Sequence, residues 1–242
     1  MLLFHDTCIF VHSANRFDIE SSEFASQLID NEEWITSDIV HTELKHITSR
    51  RDEIYEKVIN YDIGKKIGST FSTLYTECFH STLHHDYEND ERHLKELFAY
   101  CIKKIGAGDS TKITNELLKQ FNRLIHAEMA TIRNRLKALL DGFEKASFIE
   151  EHVVDYRDEP ISKKIRYVLY DIPNLRKNRP DLDILVDAIV HSNEESVLVT
   201  LVTTDSHFLS ARSSILTDIR KLHLPIQIEI GHLKEVFGRT AS

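Results

Sequence analysis

The sequence predicts an α/β fold with a central parallel sheet in a three-layer α/β/α arrangement, interrupted by a large all-helical insertion. Two observations predict this fold. Near both ends of the chain, short apolar runs that stop at Asp or at turn residues alternate with segments of helical periodicity, which is typical of a parallel sheet covered by helices. Between Arg51 and Glu151, in contrast, the chain has long charged stretches with helical spacing and no strand-like run.

Four apolar runs are the predicted strands. β-Branched residues dominate the third run, as expected for a strand that is buried on both faces of a parallel sheet. The first run contains Asp6 and lacks a basic leader, so we expect a strand there and not a signal peptide. The runs, each with the polar or turn residue that ends it, are Leu2–Phe4 with Asp6, Trp34–Thr36 with Ser37, Val197–Thr204 with Asp205, and Ile226–Ile230 with Gly231.

The predicted helices are marked by their first residues and by their apolar spacing. Ser37 or Asp38 is a suitable N-cap for a helix that continues to about residue 47. An apolar helix is predicted over Asp181–Ser192, directly after Pro180. In the middle of the chain, Asn115–Phe143 has helical spacing over a long stretch. Residues 1–50 and 152–242 are therefore predicted to form one core, and residues 51–151 a helical insertion.

The composition is that of a soluble globular protein, with 41% hydrophobic and 29% charged residues. No stretch approaches the roughly 18 apolar residues of a membrane span, so no membrane partner is expected. Three widely spaced cysteines do not form a disulfide framework in the usual pattern, and we expect a cytoplasmic protein. The net charge of −9 argues against a protein that coats nucleic acid with its whole surface.

One segment of this acidic protein is basic. Between Ile161 and Pro180, six basic residues stand against Asp171 as the one acidic residue. Such a segment is either a binding surface for the phosphates of a nucleic acid or a solvated basic loop, and the sequence leaves both interpretations open. The six residues are Lys163, Lys164, Arg166, Arg176, Lys177 and Arg179.

Acidic residues occupy positions at which α/β folds collect ligand chemistry. Asp6 and Asp205 follow strands, and the carboxyl ends of neighbouring parallel strands meet at one edge of the sheet. Glu43 lies one turn into the helix that starts at Ser37, Asp183 lies in the first turn of the later apolar helix, and Asp187 shares a helix face with Asp183. The positive end of the helix dipole explains Asp183 but not Asp187. Close carboxylates repel each other unless a cation lies between them, so the five acids are predicted ligands of one or two Mg²⁺ or Mn²⁺ ions.

The order of these motifs resembles the PIN-domain family of metal-dependent nucleases, in particular its VapC-like core. The family has an apolar strand ending in Asp-Thr or Asp-Ser, a Glu on a helix after a Ser/Thr-rich turn, an Asp that opens an apolar helix, and Thr-x-Asp-x-x-Phe after a buried strand. In this chain the corresponding segments are Leu2–Thr7, Thr36–Leu44, Asp183–Val190 and Thr203–Phe208, and Ile226–Phe237 fits the closing strand and helix. Two features depart from the family: Cys8 replaces a small polar residue such as Asn, and the insertion separates Glu43 from Asp183.

The resemblance implies a metal-dependent endoribonuclease. Its catalytic carboxylates would be Asp6, Glu43, Asp183 and Asp205. These residues, together with Asp187, would hold the metal ions. The substrate of such an enzyme is more often RNA than DNA. Two alternatives stay open: a PIN-like scaffold without activity that binds protein or RNA through the insertion, and a DNA-directed nuclease. A protein inhibitor or partner and a homodimer are both compatible with the sequence. The residues expected to bind substrate are Thr7, Thr203, His207, Lys163, Lys164, Arg176, Lys177 and Arg179.

Overall fold

The chain forms two compact units in a computed structural model. Unit 1 comprises Met1–Lys45 and Ala138–Ser242, and unit 2 comprises His46–Lys137. The structure describes residues 2–15, 17, 19–31, 33–61, 66–82 and 88–240, without the side chains of residues 19, 20, 31, 82, 88, 89, 174, 177 and 240. Among the described residues, no helix is both long and apolar enough to cross a membrane.

A parallel sheet is the centre of unit 1, which confirms the predicted α/β class with a parallel sheet. In the described part of the chain it has five strands in the order β3-β2-β1-β4-β5, and every pairing is parallel. Four strands match the predicted runs, whereas β3 has two residues and leaves no periodic signal in the sequence. The strands are β1 (Leu2–His5), β2 (Trp34–Ser37), β3 (Val153–Val154), β4 (Leu198–Thr203) and β5 (Gln227–His232).

Twelve helices are seen in the described residues, which is consistent with helices on both faces of the sheet. The second predicted helix begins at Arg179, two residues before the predicted Asp181, because Arg179 and Pro180 form its first turn. The helices are α1 (Thr7–Ala14), α2 (Ile19–Asn31), α3 (Asp38–Asn60), α4 (Phe71–Thr82), α5 (Glu88–Lys104), α6 (Asn115–Phe143), α7 (Ala146–His152), α8 (Pro160–Leu169), α9 (Pro173–Lys177), α10 (Arg179–Glu195), α11 (Ser206–Arg220) and α12 (Leu233–Thr240).

The strand order creates a switch point between β1 and β4. From β1 the chain proceeds outward to β2 and β3, and then returns to β4 and β5 on the opposite side of β1. Connections therefore leave the carboxyl ends of β1 and β4 in opposite directions, which opens a crevice between them. Backbone pairing runs from Leu2–Val199 to His5–Val202, so Asp6 comes directly after the last pair.

Unit 2 consists of α4, α5 and most of α3 and α6, and its described residues include no strand beyond one isolated bridge between Thr70 and Lys112. Its core contains Phe71, Phe98 and Phe121, whose rings lie 5.3–5.4 Å apart in neighbouring pairs. The predicted insertion of residues 51–151 differs from unit 2 at both ends. Both divisions fall inside continuous helices, α3 and α6, whose periodicity gives no sign that one unit ends and the other begins.

Candidate functional site

A threonine hydroxyl joins the ends of the two central strands. Thr203, the last residue of β4, donates from Oγ1 to Asp6 Oδ2 at 2.7 Å, and Asp205 N donates to the same Oγ1 at 2.9 Å. Asp6 also caps α1, because Thr7 N donates to its Oδ1 at 2.7 Å. Asp205 caps α11 in the same way, and accepts from His207 N at 2.6 Å. The switch point thus orients two carboxylates on neighbouring strands.

Glu43 reaches this edge from α3. Thr7 Oγ1 donates to Glu43 Oε2 at 2.5 Å. Two consecutive residues thus take part in the site: Asp6 contributes a carboxylate, and Thr7 orients the carboxylate of Glu43. Cys8 completes the local network, because its Sγ lies 3.3 Å from Asp6 Oδ2 and accepts from Thr204 N at 3.1 Å. The Cys8 thiol therefore contributes hydrogen bonds to both strand ends.

The fourth acid is Asp181, in the first turn of α10. The residue is 6% exposed, and Asn178 Nδ2 donates to its Oδ2 at 2.7 Å. One oxygen each of Asp181 and Asp205 and one ring nitrogen of His207 lie within 4.8 Å of one another. His207 Nδ1 is 3.6 Å from Asp181 Oδ2 and 3.4 Å from Asp205 Oδ1. These contacts place Asp181 beside the strand ends, and we refer to Asp6, Glu43, Asp181 and Asp205 as the carboxylate cluster.

Burial and mutual repulsion act together on the carboxylate cluster. Burial raises the pKa of Asp181 to about 8, with further contributions from the charges of Asp6, Asp205 and Glu43. Burial also raises the pKa values of Asp6 and Glu43 above the ordinary range, against the hydrogen bonds from Thr203 and Thr7 respectively. In the described part of the chain no Lys or Arg forms an ion pair with these four acids. The carboxylate cluster therefore has an excess of negative charge that no ion pair with Lys or Arg offsets among the described residues.

The predicted site residues Asp183 and Asp187 lie outside the carboxylate cluster. Asp183 Oδ1 accepts from Arg166 Nε at 2.8 Å, on the side of α10 that faces α8. Asp187 is fully buried, and its oxygens accept from Ser37 Oγ at 2.5 Å and Tyr156 N at 3.1 Å. Successive helical residues are rotated by about 100°, so residues 181 and 183 point to nearly opposite sides of the helix. Asp183 therefore points away from Asp181, and the ligand roles of Asp183 and Asp187 stay predictions.

Asp181 lies beside Asp205 and His207, and the sequence interpretation did not include it among the predicted ligands. The signal was present, since Asp181 follows Pro180 and acidic residues are favourable in the first helical turn. That same dipole argument explains an acid there without any ligand. The rotation of α10 about its own axis decides which of its acids meets Asp6, and a local sequence pattern does not fix that rotation.

A second group of acids at the same edge of the sheet is paired with arginines. Arg157, after β3, forms ion pairs with Asp38 at the end of β2 and, at 2.7 Å, with Asp155. Arg166 pairs with Asp183, and its Nη1 donates to the carbonyl oxygen of Arg157 at 3.1 Å. These ion pairs neutralise the β2–β3 side of the edge. The carboxylate cluster, at the β1–β4 side of the same edge, has no such arginine partners among the described residues.

The predicted substrate-binding residues fall into two sets. Thr7 and Thr203 donate to cluster carboxylates, and the His207 side chain is 51% exposed at the rim of the cluster. The basic side chains are exposed on the surface of α8, α9 and α10, except that the side chain of Lys177 lies outside the described residues. The exposed ones are Lys163, Lys164, Arg176 and Arg179. Their role in binding stays a prediction.

Comparison with known proteins adds no assignment: no protein-family model, curated protein or solved structure matches the chain. The PIN-like character therefore stays an expectation from the sequence motifs. The chemistry of the carboxylate cluster is the remaining basis for a function.

Proposed function

We propose that the protein is a metal-dependent nuclease that hydrolyses phosphodiester bonds, with RNA as substrate and endonucleolytic cleavage. One observation carries the proposal: Asp6, Glu43, Asp181 and Asp205 converge at the switch point of a parallel sheet with no Lys or Arg, among the described residues, to neutralise them. The ordered sequence motifs that resemble PIN-domain nucleases give the same expectation.

The donor set fits a hard divalent cation. Carboxylate oxygens, with an imidazole nitrogen at the rim, suit Mg²⁺ or Mn²⁺ and lack the thiolates that favour softer metals. The raised pKa of Asp181 also supports a cation here. Burial disfavours the charged carboxylate, and a cation in the cluster would stabilise that charged form. Such a cation, when bound, acidifies water for attack on phosphorus and stabilises the leaving oxygen.

Each residue then has a distinct task. Asp6, Asp181 and Asp205 would hold the cation or cations, and Thr203 fixes the positions of Asp6 and Asp205 through one hydroxyl. Glu43, oriented by Thr7, would be a further ligand or would accept a proton from the attacking water. His207, exposed at the rim, would donate a hydrogen bond to a substrate phosphate.

The test compares carboxylates on the two sides of α10. In the presence of Mn²⁺, Asp6→Asn, Asp181→Asn and Asp205→Asn should each reduce RNA cleavage by more than about 100-fold, the upper end of the effect of losing a residue that only orients a ligand. Asp183→Asn is the matched control, since it lies two residues from Asp181 but pairs with Arg166, and it should retain most activity.

Two results would contradict the proposal. If Asp6→Asn and Asp181→Asn cleave RNA like the parent protein, the carboxylate cluster is not a nuclease site. If calorimetry detects neither Mn²⁺ nor Mg²⁺ binding at millimolar concentrations, the scaffold without activity becomes the correct interpretation. A parallel assay with DNA of the same sequence decides between ribonuclease and deoxyribonuclease activity.

A further inference from the structure

Helix α8 is strongly two-sided. Ser162, Ile165 and Leu169 are completely buried on one face. On the opposite face Lys163 and Lys164 are exposed, and Tyr167 is 83% exposed. A large aromatic residue that is mostly exposed, one helical turn after two lysines, contributes little to the core. The exposed Tyr167 side chain is therefore a candidate for contact with a bound ligand.

A second tyrosine extends this face. Tyr170 follows the last residue of α8, is 46% exposed, and has the guanidinium carbon of Arg176 5.1 Å from its ring centroid. Residues three and four apart are neighbours on a helix surface, so Lys163, Tyr167 and Tyr170 lie in one row with Lys164 beside it. We call Lys163, Lys164, Tyr167 and Tyr170 the α8 stripe.

The α8 stripe is connected to the α10 segment that contributes Asp181. Arg166, the neighbour of Tyr167, donates to Asp183 at 2.8 Å, and Asp183 follows Asp181 by two residues, about 3 Å along the helix axis. Arg179, the first residue of α10, is exposed two residues before Asp181. Residues 179 and 183 are four apart and share the face of α10 that points away from Asp181, so these basic side chains link α8 to α10 on the side opposite the carboxylate cluster.

We propose that the α8 stripe binds single-stranded nucleic acid, with bases stacked on Tyr167 and Tyr170 and phosphates bound by Lys163, Lys164 and Arg176. The inference rests on the proposed nuclease function, because the single strand bound by the α8 stripe would be the substrate of that site. Aromatic rings among basic residues are the usual means of binding single strands without sequence preference.

Two properties favour single-stranded nucleic acid as the ligand of the α8 stripe: its negative charge and its accessible bases. The chain has a net charge of −9, yet its residues 161–180 contain six basic residues and one acidic residue, so this segment is complementary to a polyanion. Bases in a duplex are stacked on one another and present no free face, whereas a single strand can place its bases on protein rings. Exposed tyrosines therefore favour a single strand over a duplex.

The first experiment measures binding without catalysis. The full-length protein is titrated, in EDTA, into labelled oligouridine, oligothymidine and a duplex, each of about 12 nucleotides or base pairs. Both single strands should bind more tightly than the duplex, and a preference for oligouridine would assign RNA. Tyr167→Ala should weaken single-strand binding about tenfold. Tyr167→Phe retains the ring and should bind like the parent.

Two controls separate this effect from general surface changes. Ile149→Ala removes another exposed apolar side chain, on α7, and should leave binding unchanged. A Lys163→Ala/Lys164→Ala double variant should reduce the slope of log K against log salt by about 1.4, as expected for two lost contacts to the phosphates of a single strand. Lys95→Ala/Lys103→Ala, which removes two exposed lysines from α5, should leave that slope unchanged.

The proposal is overturned if the parent protein binds no oligonucleotide, if Tyr167→Ala binds as tightly as the parent, or if the duplex binds as well as the single strands. Because metal and cleavage are absent from this assay, each of these outcomes leaves the nuclease test at Asp6 and Asp181 unaffected. Conversely, an Asp6→Asn variant that cleaves normally would refute the nuclease and leave the binding result standing.

Discussion

At the scale of single residues, the carboxylate cluster lowers the stability of the folded protein, because buried carboxylates repel one another. Asp181 is buried beside three other acids, and without a cation the protein must either leave it protonated or accept repulsion. Thr203 and Thr7 reduce this repulsion by hydrogen bonding, but they add no positive charge. Residues that are unfavourable for folding and close to one another are a common property of functional sites.

We predict that Asp181→Asn stabilises the metal-free protein. The folded-state pKa of about 8 lies above the ordinary value of 3.8, so the contribution of Asp181 to stability is greatest below about pH 3.8 and is lost as the pH rises towards 8. In EDTA at pH 8, the Tm of Asp181→Asn should exceed that of the parent, and the difference should shrink at pH 5. A Tm that is lower than the parent's at both pH values would contradict this electrostatic interpretation.

We predict that added Mn²⁺ raises the Tm of the parent more than the Tm of Asp181→Asn. A ligand that binds the folded state alone stabilises it by about 2.7 kcal/mol at 100 times its Kd. The parent should therefore gain Tm with Mn²⁺, whereas Asp181→Asn should gain little. Asp183→Asn, whose carboxylate pairs with Arg166, should respond like the parent. Equal gains for the parent and Asp181→Asn would place the ion elsewhere.

At the scale of elements, strand ends and helix starts form the site together. Asp6 and Asp205 each cap the helix that follows their strand, so the turn from strand to helix fixes both carboxylates. Glu43 lies in the second turn of α3, and Asp181 lies in the first turn of α10. The sequence interpretation placed Asp6, Asp205 and Glu43 from local patterns alone. It selected Asp183, which pairs with Arg166, and not Asp181, because the direction in which α10 presents its acids depends on packing against α8 and the sheet.

The closing strand β5 gives a prediction at this scale. A Cβ added at Gly231 would lie 2.5 Å from Cγ2 of Val236, a buried and β-branched residue of α12. We expect Gly231→Ala to destabilise the fold by about 1–3 kcal/mol, the usual effect of overpacking. The measurement is the free energy of unfolding in urea.

Gly238 is the matched control for Gly231. It lies in α12, and a Cβ added there would meet nothing within 4 Å among the described residues, so Gly238→Ala should stabilise the fold by about 0.5–1 kcal/mol through helix propensity. If the two alanine variants unfold at the same urea concentration, the close approach of β5 and α12 at Gly231 is refuted.

At the scale of the whole molecule, the two units have separate cores and separate buried polar groups. In unit 2, Tyr55 OH and His93 Nε2 share a hydrogen bond of 2.6 Å inside the helical core. Burial lowers the pKa of His93 well below its ordinary value, with a further contribution from the positive charge of Arg51. Unit 2 thus has its own response to pH, which is independent of the proposed catalytic chemistry.

We predict that His93 makes the protein sensitive to acid. Its folded-state pKa is lowered, so its contribution to stability is present above pH 6.5 and is lost as the pH falls below that value. His93→Gln, which cannot titrate, should lose less stability than the parent between pH 7.5 and pH 5, by up to about 1.4 kcal/mol per pH unit. Parallel stability curves for the two proteins would contradict the prediction.

The sequence by itself determined the α/β class, the parallel sheet, the long helix α6 and the strand-end acids Asp6 and Asp205. These follow from local patterns, because apolar period and capping residues act over a few neighbouring positions. Only the tertiary structure decided that Asp181 and not Asp183 joins the cluster, that β3 pairs at the edge, and that the units divide inside α3 and α6. Those outcomes depend on how a helix is rotated and on contacts between residues far apart in the chain, and no local pattern encodes either.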